Sequence, residues 1–126
     1  MKAETCPCDR ARAYADCCGR LHAGAPAADA EALMRSRYSA YVLGAEDYLR
    51  ASWHPSTRPQ GPLLEALTRL KWLRLKVLAH RRCDDDHAEV EFVARYLDNG
   101  RHRQLRENSR FRREAGRWYY VDGDIG

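Results

Sequence analysis

The chain has 126 residues, of which 44% are hydrophobic, with 22 Lys and Arg against 18 Asp and Glu. That length suits one domain with a single core, and no apolar run approaches the ~20 residues needed to cross a bilayer as a helix. The formal charge of +4 is carried almost wholly by Arg, since Lys occurs only at positions 2, 71 and 76. Arg suits bidentate contacts to carboxylate or phosphate, and it is equally what a compositionally biased genome supplies.

The first feature along the chain is also the most specific. Cys6-Pro7-Cys8 is followed, after an eight-residue gap, by Cys17-Cys18. Closely spaced thiolates can reach one tetrahedral Zn²⁺ without a large fold around them, so Cys6, Cys8, Cys17 and Cys18 are the expected ligands. Redox thiols and disulfides remain the alternatives. Residues 1–5 contain no apolar leader segment, which points to a reducing cytoplasm, where clustered cysteines more often hold metal than bridge. His22 is close enough to stand in for one cysteine. Residues 1–24 read as a zinc knuckle and 25–126 as a second, larger domain.

After a connector interrupted by Gly24 and Pro26, Asp29 is the expected N-cap of a helix with Glu31 in its first turn. Met34, Tyr38, Tyr41, Val42 and Ala45 recur at helical spacing, and Gly44 ends or kinks that helix. A second short helix, about 45–53, carries Tyr48, Leu49 and Trp53 and must stop before Pro55. Beyond the loop 54–62, Leu63, Leu64, Leu67 and Leu70 predict a third short helix begun by Pro62.

From residue 71 the period changes to two. Leu73, Leu75, Val77 and Ala79 form one apolar set; Ala88, Val90, Phe92 and Ala94 form the next. Strands over about 102–113 and 117–123 follow. Asn99-Gly100 is a strong hairpin signal and Ala115-Gly116 a weaker one. The first hairpin sets Ala94 beside Leu105, Phe92 beside Glu107, Val90 beside Ser109 and Ala88 beside Phe111, with Glu89 opposite Arg110 on the other face. A turn centred on Cys83-Asp84 sets Ala79 beside Ala88, Val77 beside Val90 and Leu75 beside Phe92. The last hairpin sets Tyr120 beside Phe111 and Asp122 beside Ser109. All three registers send the apolar residues to one face. The expected fold is α+β: short helices packed on one side of a curved four-stranded antiparallel meander.

One residue conflicts with that core. Glu107 points inward with Ser109, between Leu105 and Phe111, and a buried carboxylate needs a partner. The donor-rich stretch His54-Pro55-Ser56-Thr57-Arg58 is the expected source. The result is either an internal tie or a pocket lined by Trp53, Ser109, Phe111, Tyr120 and Asp122. Elsewhere, seven Arg lie between 101 and 117 against Glu107 and Glu114. Their pairing with the neighbouring acidic strand, as Glu89 with Arg110, argues against a nucleic-acid surface. Trp118, Tyr119 and Tyr120 read as core and rim aromatics. Cys83, beside Asp84-Asp85-Asp86, reads as a free surface thiol whose acidic neighbours disfavour the thiolate. His80, His87 and His102 read as solvated.

These residues also resemble a known family. Cys6-Pro7-Cys8 with Cys17-Cys18 is similar to the SEC-C zinc motif, although Asp9 and Ala11 stand where that motif usually has glycines. With residues 48–59 (YLRASWHPSTRP), 107–111 (ENSRF) and 116–123 (GRWYYVDG), the chain resembles the YchJ-like family over nearly its whole length. The resemblance implies a SEC-C knuckle followed by a domain of nuclear-transport-factor-2-like (cystatin-like) fold, in bacterial proteins without an assigned activity. The expected function is that of a zinc-binding interaction module, its knuckle recognising a protein partner. The alternative is a small-molecule-binding or weakly catalytic cone, with Glu107 as general base and His54 or Arg58 as acid or anion partner.

Overall fold

In the computed structural model of the protein, residues 5–8, 12–67 and 69–126 are described; Asp9 and Ala11, which depart from the motif, lie outside them. A 3₁₀ turn, Tyr14–Asp16, leads into α1 (Cys18–His22), α2 (Ala30–Leu43) and α3 (Glu46–Ala51). A second 3₁₀ turn, Glu65–Leu67, precedes β1 (Leu70–Arg82), β2 (His87–Asp98), β3 (Arg101–Glu114) and β4 (Arg117–Ile125). The strands form one antiparallel sheet in the order β1-β2-β3-β4. Among the described residues no helix is long and apolar enough to cross a membrane.

The helix ends follow from their caps. The Asp29 carboxylate accepts the Ala32 N–H at 2.8 Å, and Gly44 leaves α2 in the left-handed region with φ 74°, as expected of a cap and a stop. α2 is buried almost all round: Leu33, Met34, Ser36, Arg37, Tyr38, Ser39 and Ala40 are all buried, while Val42, expected on the apolar face, is exposed. The helix is covered from two sides, so its burial does not follow a single apolar stripe.

The β2–β3 hairpin has the expected register at every pair, from Ala94 beside Leu105 to Ala88 beside Phe111. Asn99 and Gly100, at φ 52° and 78°, form the two-residue turn whose twist matches the flanking strands. Ala115 and Gly116 take the same conformation at φ 51° and 78°. A Cβ at Ala115 costs about 1 kcal/mol there. The inner face carries Leu75, Val90, Phe92, Phe111 and Trp118 against Leu33, Met34 and Tyr38 of α2, and the four leader cysteines belong to the same buried cluster.

Three expectations are corrected, each by an irregularity that leaves no residue-type mark. The third helix shrinks to the turn Glu65–Leu67, and Leu70 opens β1 instead. β1 pairs Leu75 with Ala94, Val77 with Phe92 and Ala79 with Glu91, because the β1–β2 turn is wider than two residues and register shifts occur at Leu73 and Leu78. The extra residue in each bulge reverses which side chains face inward. Leu73 and Leu78 are therefore 40% exposed. Trp72 takes the inner place of Leu73, its ring packed edge-on or tilted against Tyr38, Tyr41 and Tyr96 with centre-to-centre distances of 6.1, 5.9 and 5.2 Å. On β4 Tyr120 does sit beside Phe111, but a shift at Val121 sets Gly123, not Asp122, beside Ser109.

Candidate metal centre and cone cavity

The leader folds back on itself to gather its sulfurs. Thr5 bridges Ala13, the Cys6 N–H donates to the Arg12 carbonyl at 2.7 Å, and the turn at Tyr14 delivers Cys17 and Cys18. The Sγ atoms of Cys6, Cys8, Cys17 and Cys18 all lie within 4.8 Å of one another, all four residues are buried, and none is bridged. Cys8 and Cys17 are 3.5 Å apart at sulfur. A tetrahedral ion with metal–sulfur bonds of about 2.3 Å sets neighbouring sulfurs about 3.8 Å apart, so the four thiols fit one metal ion. Burial together with the neighbouring Cys8 and Cys6 thiols pushes the Cys17 thiol up to about 11. Cys18 is raised as well, first through its contact with Cys8 and then by burial. Without metal these groups keep their protons, and metal binding would release them.

α2 holds the cluster from one side. Ser39 Oγ meets Cys6 Sγ at 3.6 Å, and Arg35 Nη1 donates to the Cys8 carbonyl at 2.6 Å. His22 is a strut between the leader and α2, and the sulfur cluster does not include it. Its Nε2 lies 2.8 Å from the Ser36 carbonyl, which can only accept, so Nδ1 accepts from the Tyr14 hydroxyl at 2.6 Å. Gly19 allows the close approach of α1 to the turn: a Cβ there would stand 2.7 Å from the Tyr14 carbonyl oxygen and 2.9 Å from its ring. None of these supports except His22 was marked in advance by its residue type or spacing.

On the opposite face of α2 lies a cavity of about 260 Å³. Trp53, Ser109, Phe111 and Tyr120 line it together with Glu107, whereas Asp122 does not. Asp122 projects from the other face of β4, where Arg110 donates to it at 2.6 Å and to Asp124 at 2.7 Å. Glu89, set opposite Arg110 as expected, instead accepts from Asn108 at 2.7 Å and from Arg81 at 3.4 Å. Outward arginines thus do pair with acidic neighbours, but Arg110 finds its partners on β4.

The donors of Glu107 are not those expected. Its Oε2 accepts from Ser109 Oγ at 2.6 Å and from the Tyr120 hydroxyl at 3.1 Å. Gly123 clears the space, since a Cβ there would stand 2.7 Å from the carboxylate carbon. His54 is buried elsewhere, bonding Glu114 at 2.8 Å and Ser56 at 2.7 Å. Arg58 caps the Trp53 carbonyl at 3.1 and 2.9 Å. Both residues brace the loop 53–58, which Tyr120 pins to β4 through backbone bonds to His54 and Ser52 at 2.7 and 2.9 Å.

The cation that does face the cavity is Arg37, from α2. Its residue is only 5% exposed. Nη1 donates to the Leu49 carbonyl at 2.8 Å and Ser52 Oγ at 2.7 Å, and the guanidinium lies 5.1 and 4.6 Å from the centres of the Trp53 and Tyr120 rings. Burial pulls its pKa below the ordinary value. The signal for it was present in the spacing: Arg37 follows Met34 by three residues and precedes Tyr41 by four, on the same helical face. Cys83 is exposed, 3.8 Å from the Glu89 carboxylate.

The comparisons with known proteins match both parts of the chain. Residues 3–20 match the SEC-C motif and residues 29–123 the middle NTF2-like domain of YchJ. A UPF0225 protein of Bordetella pertussis is 58% identical over 123 residues, covering 95% of this chain and 92% of its own. One from Xanthomonas campestris is 54% identical over 120 residues, covering 94% and 93%. The solution structure of a SEC-C motif protein from Rhodopseudomonas palustris superposes with a TM-score of 0.89 at 35% identity, covering 98% of this chain and 99% of that one. A crystal structure of a SEC-C motif protein from Psychrobacter arcticus gives 0.82 at 29% identity, with 98% and 83% coverage. With a knuckle of the first kind joined to a domain of the second, the chain belongs to the YchJ family of SEC-C proteins with an NTF2-like domain.

Proposed function

We propose that the chain is a zinc-binding interaction module, in which residues 1–24 form the metal knuckle and 25–126 the cone that carries it. The supporting observation is the cluster of four buried, unbridged thiols within 4.8 Å of one another. Zn²⁺ suits four thiolates, and a shell closed by four protein ligands leaves no position for a substrate, so the ion's role is structural. When bound, it would fix the leader against α2 and hold a recognition surface in place. Arg12, Arg20 and Asp16 border a shallow cleft beside the cysteines. The two exposed arginines suit an acidic segment of a protein partner.

The test has two steps. Wild type should carry one zinc per chain and Cys17→Ser less than a tenth of that; unchanged content in the variant would remove Cys17 from the ligand set. The pair Arg12→Glu and Arg20→Glu should keep the metal and lose any protein that co-purifies with wild type. A partner retained by that variant would overturn the cleft as its docking place, and no co-purifying protein at all would count against the adapter role.

A second reading is favoured by the cavity. Its lining by Glu107 and Arg37 supports a small-molecule-binding cone, with Arg37 in the part first given to His54 and Arg58.

A further inference from the structure

The polar end of the cavity holds two opposite charges that are only half used. Among the described residues no carboxylate lies within ion-pair distance of Arg37, and its hydrogen bonds all leave from Nη1. Those of Glu107 all end on Oε2. No buried side-chain nitrogen or oxygen of the described residues lacks a hydrogen-bond partner. Nε and Nη2 of Arg37 and Oε1 of Glu107 are therefore accessible, and both residues line the cavity. They flank one ring: the guanidinium lies 4.6 Å from the centre of Tyr120, whose hydroxyl donates to Glu107 at 3.1 Å. The remaining wall is largely aromatic, including Tyr41, Trp53, Trp72, Tyr96 and Phe111.

This arrangement selects by charge. An anion gains from Arg37 but is repelled by Glu107; a cation meets the reverse. A purely apolar molecule would cover both charges and leave their remaining polar atoms without partners. A neutral group that accepts and donates side by side satisfies both at once. A cavity of 150 Å³ takes up benzene, so by proportion one of about 260 Å³ has room for about ten non-hydrogen atoms. We propose that the cavity binds a neutral, flat ring compound of amide or lactam type, its carbonyl accepting from Arg37, its N–H donating to Glu107 and its ring held among the aromatic side chains. This rests on the cavity being a ligand site.

The experiment titrates the full chain, as purified, with four probes of similar size: benzamide, benzoate, benzylammonium and ethylbenzene, followed by calorimetry and by Trp side-chain NMR signals. Benzamide should bind at least tenfold more tightly than the other three. In Glu107→Gln, which keeps the side chain's shape, benzoate should gain at least tenfold relative to benzamide because the repelling carboxylate is gone. Ethylbenzene or either ion binding as tightly as benzamide would overturn the ligand class and leave the cavity a binding site. No response to any of the four would overturn the cavity reading itself. Arg37→Met should weaken benzamide and benzoate alike. If that variant does not fold, the Glu107→Gln reversal alone decides: its absence counts against the proposal.

Discussion

The knuckle and the cone share one helix and use it in opposite ways. Towards the knuckle α2 presents polar groups: Arg35 on the Cys8 carbonyl, the Ser36 carbonyl on His22, and Ser39 beside the Cys6 sulfur. Towards the cone it presents Met34, Tyr38 and Tyr41, with Arg37 among them. The sheet side has a broad apolar face and can hold itself by burial. Among its described residues the leader shows no such face: those buried are the four cysteines, whose sulfurs stabilise the segment strongly only when joined through a metal. Small segments that lack a core of their own characteristically depend on such cross-links.

The contrast can be broken first at its strongest point. Chelation, or Cys8→Ser, should release the leader: amides of residues 12–22 should lose hydrogen-exchange protection by at least a hundredfold while β2 and β3 keep theirs. Equal loss in the sheet would show that the cone depends on the metal too. Next, Phe111→Ala should cost about 3–5 kcal/mol in denaturant unfolding, since Phe111 is only 2% exposed. Metal content should stay at one per chain below the unfolding transition. Smaller again is Gly19→Ala. Its Cβ meets a backbone carbonyl, so about 1–3 kcal/mol is expected, accompanied by weaker metal retention rather than a looser sheet. The smallest effect has the opposite sign. Ala115→Gly relieves a left-handed Ala that belongs to neither site and should raise stability by up to about 1 kcal/mol, with metal content and probe binding unchanged.

How far the sequence could be read depended on whether a feature leaves a mark in residue type. Asp29, Gly44 and Asn99-Gly100 each occupy a backbone position that few other residues favour, and the helix and hairpin they bound were legible for that reason. The cysteine spacing was legible because thiols are rare and metal geometry is strict. The bulges at Leu73, Leu78 and Val121 were not, since any residue can be the extra one; each reversed the facing of the residues beyond it. Asp122 was misplaced by that mechanism alone. Glu107 was correctly placed inward, but its donors were sought in the most polar loop, whereas they came from Ser109 and Tyr120 on the sheet. Arg37 was overlooked because a charge on a helix ordinarily reaches solvent; here it is covered by α3 and the Trp53 loop.

The proposed module depends most on one ion joining the four leader sulfurs. The direct measurement is elemental analysis, alongside thiol counting, of protein purified under reducing conditions without added metal. One zinc per chain, with four of the five cysteines shielded from thiol reagent until a chelator is added, is the predicted result. Metal-free protein with all five thiols reactive, or sulfurs linked in pairs as disulfides, would contradict it.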